Sequence, residues 1–79
     1  MQEFNNNLIN TSLYPNPAND FIIVRTENVV KQITVYNVVG QPILQSSNKM
    51  VDVTALSTGL YYMKIQFDNN LFLVKSFVK

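Results

Sequence analysis

A chain of 79 residues with a net charge of +1 allows one small domain and gives no basic footprint for nucleic acid or an anionic membrane surface. Cysteine and histidine are absent, which excludes disulfides, thiolate metal sites and the commonest general base. Hydrophobic residues make up 47% of the chain, too many for disorder. No apolar run approaches the roughly 20 residues of a membrane helix, so we expect no membrane insertion.

The polar, asparagine-rich residues 1–10 predict a flexible linker, with the folded domain over residues 11–79. Met1–Phe4 lacks the basic region and apolar stretch of a signal peptide. The chain is then either cytosolic, or a piece of a longer exported precursor whose signal lies elsewhere. In the second case Met1 is an expression start. The absence of cysteine fits both compartments.

From residue 11 onward, apolar residues alternate with a period of two and are rich in β-branched and aromatic types. We predict seven strands: Thr11–Tyr14, Phe21–Thr26, Gln32–Asn37, Ile43–Gln45, Met50–Val53, Leu60–Phe67 and Leu71–Val78. Strands this short, spaced by about 8–12 residues, indicate an all-β, antiparallel, immunoglobulin-like sandwich.

The segments between these strands have the composition of turns. Pro15 ends the first strand because it has no N–H to donate. "NVVGQP" at 37–42 places Gly40 where a positive φ is needed, and "DNN" at 68–70 predicts a tight hairpin. The bend "TALSTG" at 54–59 is expected to push Leu56 against the core from beneath.

Alternation also assigns faces. Ile33 and Val35 are predicted to point inward and Tyr36 outward. Ile22, Val24 and Thr26 share one face of their strand. In the sixth strand one face carries Tyr61, Met63, Ile65 and Phe67, and the other carries Lys64 and Gln66. Tyr61 begins a late strand directly after the Gly59 bend, as in the tyrosine corner of immunoglobulin-like folds.

Catalytic chemistry has little support in this sequence. The acidic residues occur singly, at turns, strand ends and the leading tail, where solubility and turn formation explain them. The serines lie in no G-x-S-x-G elbow, and two glycines make no phosphate-binding loop. "DNN" has too few carboxylates for a calcium site. We therefore expect no enzyme activity, no metal and no cofactor.

Two surface features leave alternatives open. Outward-facing Tyr36, Leu60 and Tyr62 either stack on sugars or a protein partner, or cover the outer sheet face as cross-strand pairs. Lys75 and Lys79 in the last strand either discourage edge-to-edge association or are presented to a partner. Dimers through edge strands remain open on sequence grounds.

Four segments in order resemble one family: "YPNPAND", "ITVYNVVGQPI", "VDVTALSTGLYYMKI" and the terminal "KSFVK". They resemble the type A C-terminal sorting domain of the type IX secretion system, which occurs in Bacteroidetes. The resemblance covers roughly Leu13 to Lys79. Leu60 and Met63 depart from it, since the family more often has Val or Phe there.

The resemblance implies a non-catalytic, seven-stranded immunoglobulin-like domain that directs a cargo protein through the outer membrane. The implied partners are the outer-membrane translocon, a shuttle protein and a sortase-like peptidase that removes the domain, with cleavage in or before residues 1–10. The cargo then passes through the periplasm to the cell surface or the medium. By position, the resemblance assigns sorting and partner recognition to Tyr14, Pro15, Asn16, Pro17, Gly40, Gly59, Tyr61, Lys75, Phe77, Val78 and Lys79.

Two rival hypotheses belong to other classes. The first is an immunoglobulin-like glycan-binding module that stacks sugars on Tyr36 and Tyr62. The second is a structural spacer between domains of a larger protein. A sorting domain is expected at the end of its gene, whereas a spacer or a glycan module is also found within a chain.

Overall fold

The computed structural model describes residues 11–79, and the linker expected at residues 1–10 lies outside the described part. The strands are β1 (Thr11–Tyr14), β2 (Phe21–Thr26), β3 (Val30–Tyr36), β4 (Pro42–Ser46), β5 (Met50–Asp52), β6 (Leu60–Phe67) and β7 (Phe72–Val78). Within residues 11–79, no helix is long and apolar enough to cross a membrane.

The seven strands form two antiparallel sheets. One has three strands in the order β1-β2-β5, and the other has four in the order β4-β3-β6-β7. The predicted all-β, seven-stranded antiparallel architecture is confirmed, and the arrangement is compatible with an immunoglobulin-like sandwich. β1 and β5 are the edges of the smaller sheet, whereas β4 and β7 are the edges of the larger one.

Three predicted strands, β1, β2 and β6, have the predicted bounds, whereas β3 and β4 differ. β3 begins at Val30 rather than Gln32, because Val30 pairs with Phe67 across an irregularity in the ladder. It ends at Tyr36 rather than Asn37, whose N–H instead donates to the Gln41 carbonyl and closes the turn. β4 extends from Pro42 to Ser46, and a proline is acceptable at the first position of a strand.

The remaining boundary differences are single residues. β5 ends at Asp52 rather than Val53, although Val53 is fully buried and its N–H donates to the Asp20 carbonyl. β7 begins at Phe72 rather than Leu71, because the Leu71 carbonyl accepts from the Phe67 N–H to close the hairpin. Asn70 in that hairpin has φ +69°, the left-handed conformation expected of the "DNN" turn.

The core lies between the inner faces of the two sheets, and the alternation in β6 shows why. Its odd-numbered residues are buried, while Tyr62 and Leu60 are exposed and Lys64 and Gln66 are half-buried. The buried hydrophobic residues are Ala18, Ile22, Val24, Ile33, Val35, Val51, Val53, Tyr61, Met63, Ile65, Phe67 and Phe77. Leu56 packs against this cluster from the bend, as predicted. Thr26, predicted on the same face as Ile22 and Val24, is half-buried.

Tyr61 makes the hydrogen bond that defines a tyrosine corner. Its hydroxyl donates to the Ser57 carbonyl, 2.6 Å away and four residues upstream. The ring is 93% buried and stacks on Phe77 with centroids 5.7 Å apart. The Tyr61 side chain therefore contacts two parts of the domain: its hydroxyl bonds the Ser57–Gly59 bend, and its ring packs on Phe77 near the end of β7.

Replacing Tyr61 by Phe keeps the ring but removes the donor to the Ser57 carbonyl. We expect the free energy of unfolding to fall by about 1 kcal/mol, the usual contribution of one hydrogen bond. Urea denaturation of Tyr61→Phe measures this change. Tyr62→Phe is the matched control, since Tyr62 is 38% exposed and its hydroxyl makes no hydrogen bond within residues 11–79. Equal stability losses in both variants would contradict a structural role for the corner.

Candidate functional site

The predicted opening motif and the predicted terminal element lie in direct contact. The Val78 N–H donates to Asn16 Oδ1 at 3.1 Å, and the Val78 carbonyl accepts from the Ala18 N–H at 2.7 Å. The segment that follows β1 in the three-stranded sheet thus reaches the edge strand of the other sheet. It covers the end of β7 with one side-chain acceptor and one backbone donor.

The two prolines explain how this contact is made. β1 ends at Tyr14, as predicted, and the Tyr14–Pro15 and Asn16–Pro17 peptide bonds are both cis. Proline has no N–H, so the segment cannot continue a regular ladder. It instead offers the Asn16 amide oxygen and the Ala18 N–H, and Ala18 itself is buried. The motif residues act on β7 through the backbone of Val78.

Lys79 joins the end of the chain to the "TALSTG" bend. Its N–H and carbonyl pair with the carbonyl and N–H of Gly59, at 2.8 and 3.0 Å. Its ammonium group donates to the carbonyls of Leu56 at 2.7 Å and Thr54 at 3.2 Å. The positive charge of Lys79 therefore satisfies carbonyls within the domain.

Lys75 is placed differently. It lies between Leu73 and Phe77 on the side of β7 that faces the space between the sheets, and it is half-buried. Charged residues that point inward from an edge strand discourage pairing between copies of a protein. Lys75 and Lys79 thus differ in role. Lys75 lies on the edge strand β7, whereas the Lys79 ammonium group donates to backbone carbonyls of the bend.

Gly40 lies at the same end of the larger sheet as Gly59, but at the opposite edge, in the turn between β3 and β4. Its φ is +86°, a conformation that favours glycine, as the turn prediction required. Asn37 Oδ1 accepts from the N–H groups of Val39 at 3.1 Å and Gln41 at 3.0 Å. Asn37 Nδ2 donates to Gln41 Oε1 at 2.8 Å.

No role was assigned to Asn37 or Gln41 from the sequence, although both lie in the segment "ITVYNVVGQPI" that carries the family resemblance. The available signal was their position around Gly40, because an asparagine that begins a tight turn often accepts from the backbone two residues later. Their hydrogen bonds hold a rigid turn whose tip exposes Val38 (63%) and Val39 (74%). The motif residues thus form two features: the contact between the Asn16–Ala18 segment and Val78, and this apolar turn tip.

The outer face of the four-stranded sheet carries the outward aromatic residues. Tyr36 on β3 lies opposite Tyr62 on β6, the position of a cross-strand pair, which is one of the two alternatives that the sequence left open. On the β7 side, the Lys64 ammonium group lies 4.7 Å from the centroid of the Phe72 ring, a cation–π contact. The side chains of Leu60, Val74 and Val78 are also exposed.

Residues 12–79 match a family model described as the secretion system C-terminal sorting domain. The chain belongs to this family of type IX secretion sorting domains. No curated protein and no solved structure gives a significant match. A type IX sorting domain is a secretion signal rather than a catalyst, and the cargo that bears it is a secreted protein carried to the cell surface or beyond the cell.

Among residues 11–79, one titratable group has a pKa that departs clearly from its ordinary value. The Thr54 hydroxyl, 2.7 Å from Asp52 Oδ1, and the Thr54 N–H, at 2.9 Å, hold the pKa of the Asp52 carboxyl below 3.8. These bonds fix the start of the bend that Lys79 fastens. Among residues 11–79, no group of three Asp, Glu, His or Cys side chains is placed to hold a metal ion.

Removing the side-chain acceptor at Asn16 tests the contact with β7. We expect Asn16→Ala to lower the free energy of unfolding of the sorting domain by about 1 kcal/mol, because the Val78 N–H loses its partner. Amide hydrogen exchange at Val78 should accelerate in the same variant. Asn19→Ala is the matched control in the same loop. Unchanged exchange at Val78 would show that Asn16 does not cover this strand end.

The pH dependence at Asp52 has a defined sign. Its lowered pKa makes the carboxylate stabilising above pH 3.8, and that contribution is lost as the pH falls through the folded-state pKa. Thr54→Ala removes the hydroxyl donor, so the Asp52 pKa should rise toward 3.8 in an NMR titration. Thr58→Ala, in the same bend, should leave it unchanged. Identical titration curves in the two variants would contradict the assignment.

Proposed function

We propose that this domain is the secretion signal that directs its cargo across the outer membrane through the type IX translocon, and that a sortase-like peptidase then removes it. The family match over residues 12–79 supports this function. The proposed partners are the translocon, a shuttle protein and the peptidase, and the proposed route passes through the periplasm. Cleavage falls in or before residues 1–10, and the cargo is released or joined to a surface glycolipid.

One observation supports recognition of a folded surface rather than a linear tag. Asn16 and Val78 are 62 positions apart, yet the Asn16 side chain accepts from the Val78 N–H. The Gly59 bend meets Lys79 through two backbone hydrogen bonds. Because these contacts form only in the folded chain, a partner that requires the motif residues would test whether the domain has folded. The terminal strand would be presented only after that.

The glycan-binding alternative gains little from the geometry. Tyr36 and Tyr62 face each other on neighbouring strands, and their rings can cover the sheet as a cross-strand pair. Tyr62 is 38% exposed and Tyr36 is half-buried, so the pair does not form an open stacking platform. Loss of glycan-array binding in Tyr62→Ala would favour this alternative over the sorting function.

A secretion assay tests the proposed function directly. Residues 1–79 are fused to the C-terminus of a reporter that carries a signal peptide, in a host with a type IX system. We expect the reporter outside the cell, and we expect it in the periplasm when residues 71–79, which include β7, are deleted. The same fusion in a translocon-deficient host is the control for leakage.

Two outcomes of this assay carry separate information. An intact fusion that stays in the periplasm would overturn the sorting function. The mass of the exported reporter tests the peptidase step: an exported reporter that retains all 79 added residues would contradict cleavage while leaving translocation intact.

A further inference from the structure

The backbone of β7 points alternately toward β6 and away from it. Lys79 pairs with Gly59 through both backbone hydrogen bonds, and the Leu71 carbonyl accepts from the Phe67 N–H. In an antiparallel ladder, hydrogen-bonded residues alternate with residues whose N–H and C=O groups point to the other side. The odd-numbered residues of β7 therefore bond to β6, and the even-numbered residues direct their groups outward.

The backbone N–H and C=O groups of β7 that point away from β6 fall into two sets. At Val78 both are occupied, by Asn16 Oδ1 and by the Ala18 N–H. At Phe72, Val74 and Ser76 no partner lies among residues 11–79, since β7 is the edge of its sheet. This open part of the edge spans about 14 Å at the usual rise of a strand. The open part of the edge ends before Val78, whose N–H and carbonyl are bonded to Asn16 and Ala18.

The same residues give the open edge an apolar face. Phe72 is 56% exposed and Val74 is 51% exposed, on the outer side of the sheet. Lys64 lies opposite Val74 on β6 and covers part of the Phe72 ring with its ammonium group. A strand paired to β7 would therefore place alternate side chains against apolar surface.

Charge distinguishes the kinds of strand that fit this edge. The four strands of the larger sheet contain Lys31, Lys64 and Lys75 and no acidic residue. Lys64 borders the open edge on the outer face, and Lys75 borders it on the inner face. Two copies paired through β7 would bring their Lys75 residues close together on one face, which is unfavourable. A partner strand with a carboxylate would instead be attracted.

We propose that the edge of β7 from Phe72 to Ser76 is the docking site for an extended, acidic strand of a secretion-machinery protein, added to the sheet by backbone hydrogen bonds. This inference rests on the proposed sorting function. The partner strand places an apolar side chain on the Phe72–Val74 face and a carboxylate within reach of Lys75. The Asn16–Ala18 segment sets its register, because it blocks further pairing at Val78.

A proline at position 74 tests the backbone contact. Val74→Pro removes an N–H that points away from β6, so the ladder between β6 and β7 keeps its hydrogen bonds. The matched control is Met50→Pro, because Met50 is 57% exposed and its N–H points outward from the edge strand β5. Thermal unfolding of both variants verifies that they fold before secretion is compared.

In the reporter fusion we expect Val74→Pro to reduce export about tenfold, the factor that corresponds to about 1.4 kcal/mol in an equilibrium. Met50→Pro should be exported like the unchanged fusion. Full export of a folded Val74→Pro fusion would overturn the docking site, while export of the unchanged fusion would leave the sorting function intact. Failure of the unchanged fusion would overturn the sorting function instead. An equal loss of export in the two proline variants would also contradict docking at the edge of β7.

A second pair of variants tests the charge of the partner. Lys75→Glu places a carboxylate beside the open edge, whereas Lys31→Glu makes the same change on β3, away from that edge. We expect export to fall in the first variant and to persist in the second, with the loss in the first less severe at high ionic strength. Normal export of folded Lys75→Glu would overturn the acidic character of the partner strand.

Discussion

The contact between the Asn16–Ala18 segment and Val78 joins the two sheets at the end of β7. It joins the chain that leaves the three-stranded sheet to the edge strand of the four-stranded sheet, through two hydrogen bonds. An edge strand is bonded on one side only, so its end would otherwise be prone to fray. With this contact, β7 ends at a fixed position, and the open part of its edge has a defined length.

The motif residues of this family act mainly on the backbone of their own domain. The Tyr61 hydroxyl donates to the Ser57 carbonyl, and the Lys79 ammonium group donates to the carbonyls of Leu56 and Thr54. Asn37 Oδ1 likewise bonds to the backbone, accepting from the N–H groups of Val39 and Gln41 in the turn around Gly40. The sequence pattern therefore describes how the turns and the strand end are fastened. What remains for a partner is the surface that these bonds leave exposed.

The two faces of the edge strand β7 carry different side chains. β7 has apolar side chains on its outer face and a lysine on its inner face, and a charge that points inward from an edge strand discourages pairing between copies of a protein. The same edge is the site at which we propose that a strand of the secretion machinery docks. The compact core of residues from both sheets keeps that edge in place.

The sequence by itself determined the seven strands, most of their faces and the turn positions, because these depend on local alternation and on Pro, Gly and Asn. It also contained the family pattern, and it placed Tyr61 and Gly40 correctly. It left open whether the terminal lysines discourage edge-to-edge association or are presented to a partner. Only the tertiary structure decided that Lys79 bonds to the bend and that Asn16 covers Val78. Those contacts join residues more than 20 positions apart, and local pattern carries no information about which distant backbone group a side chain will meet.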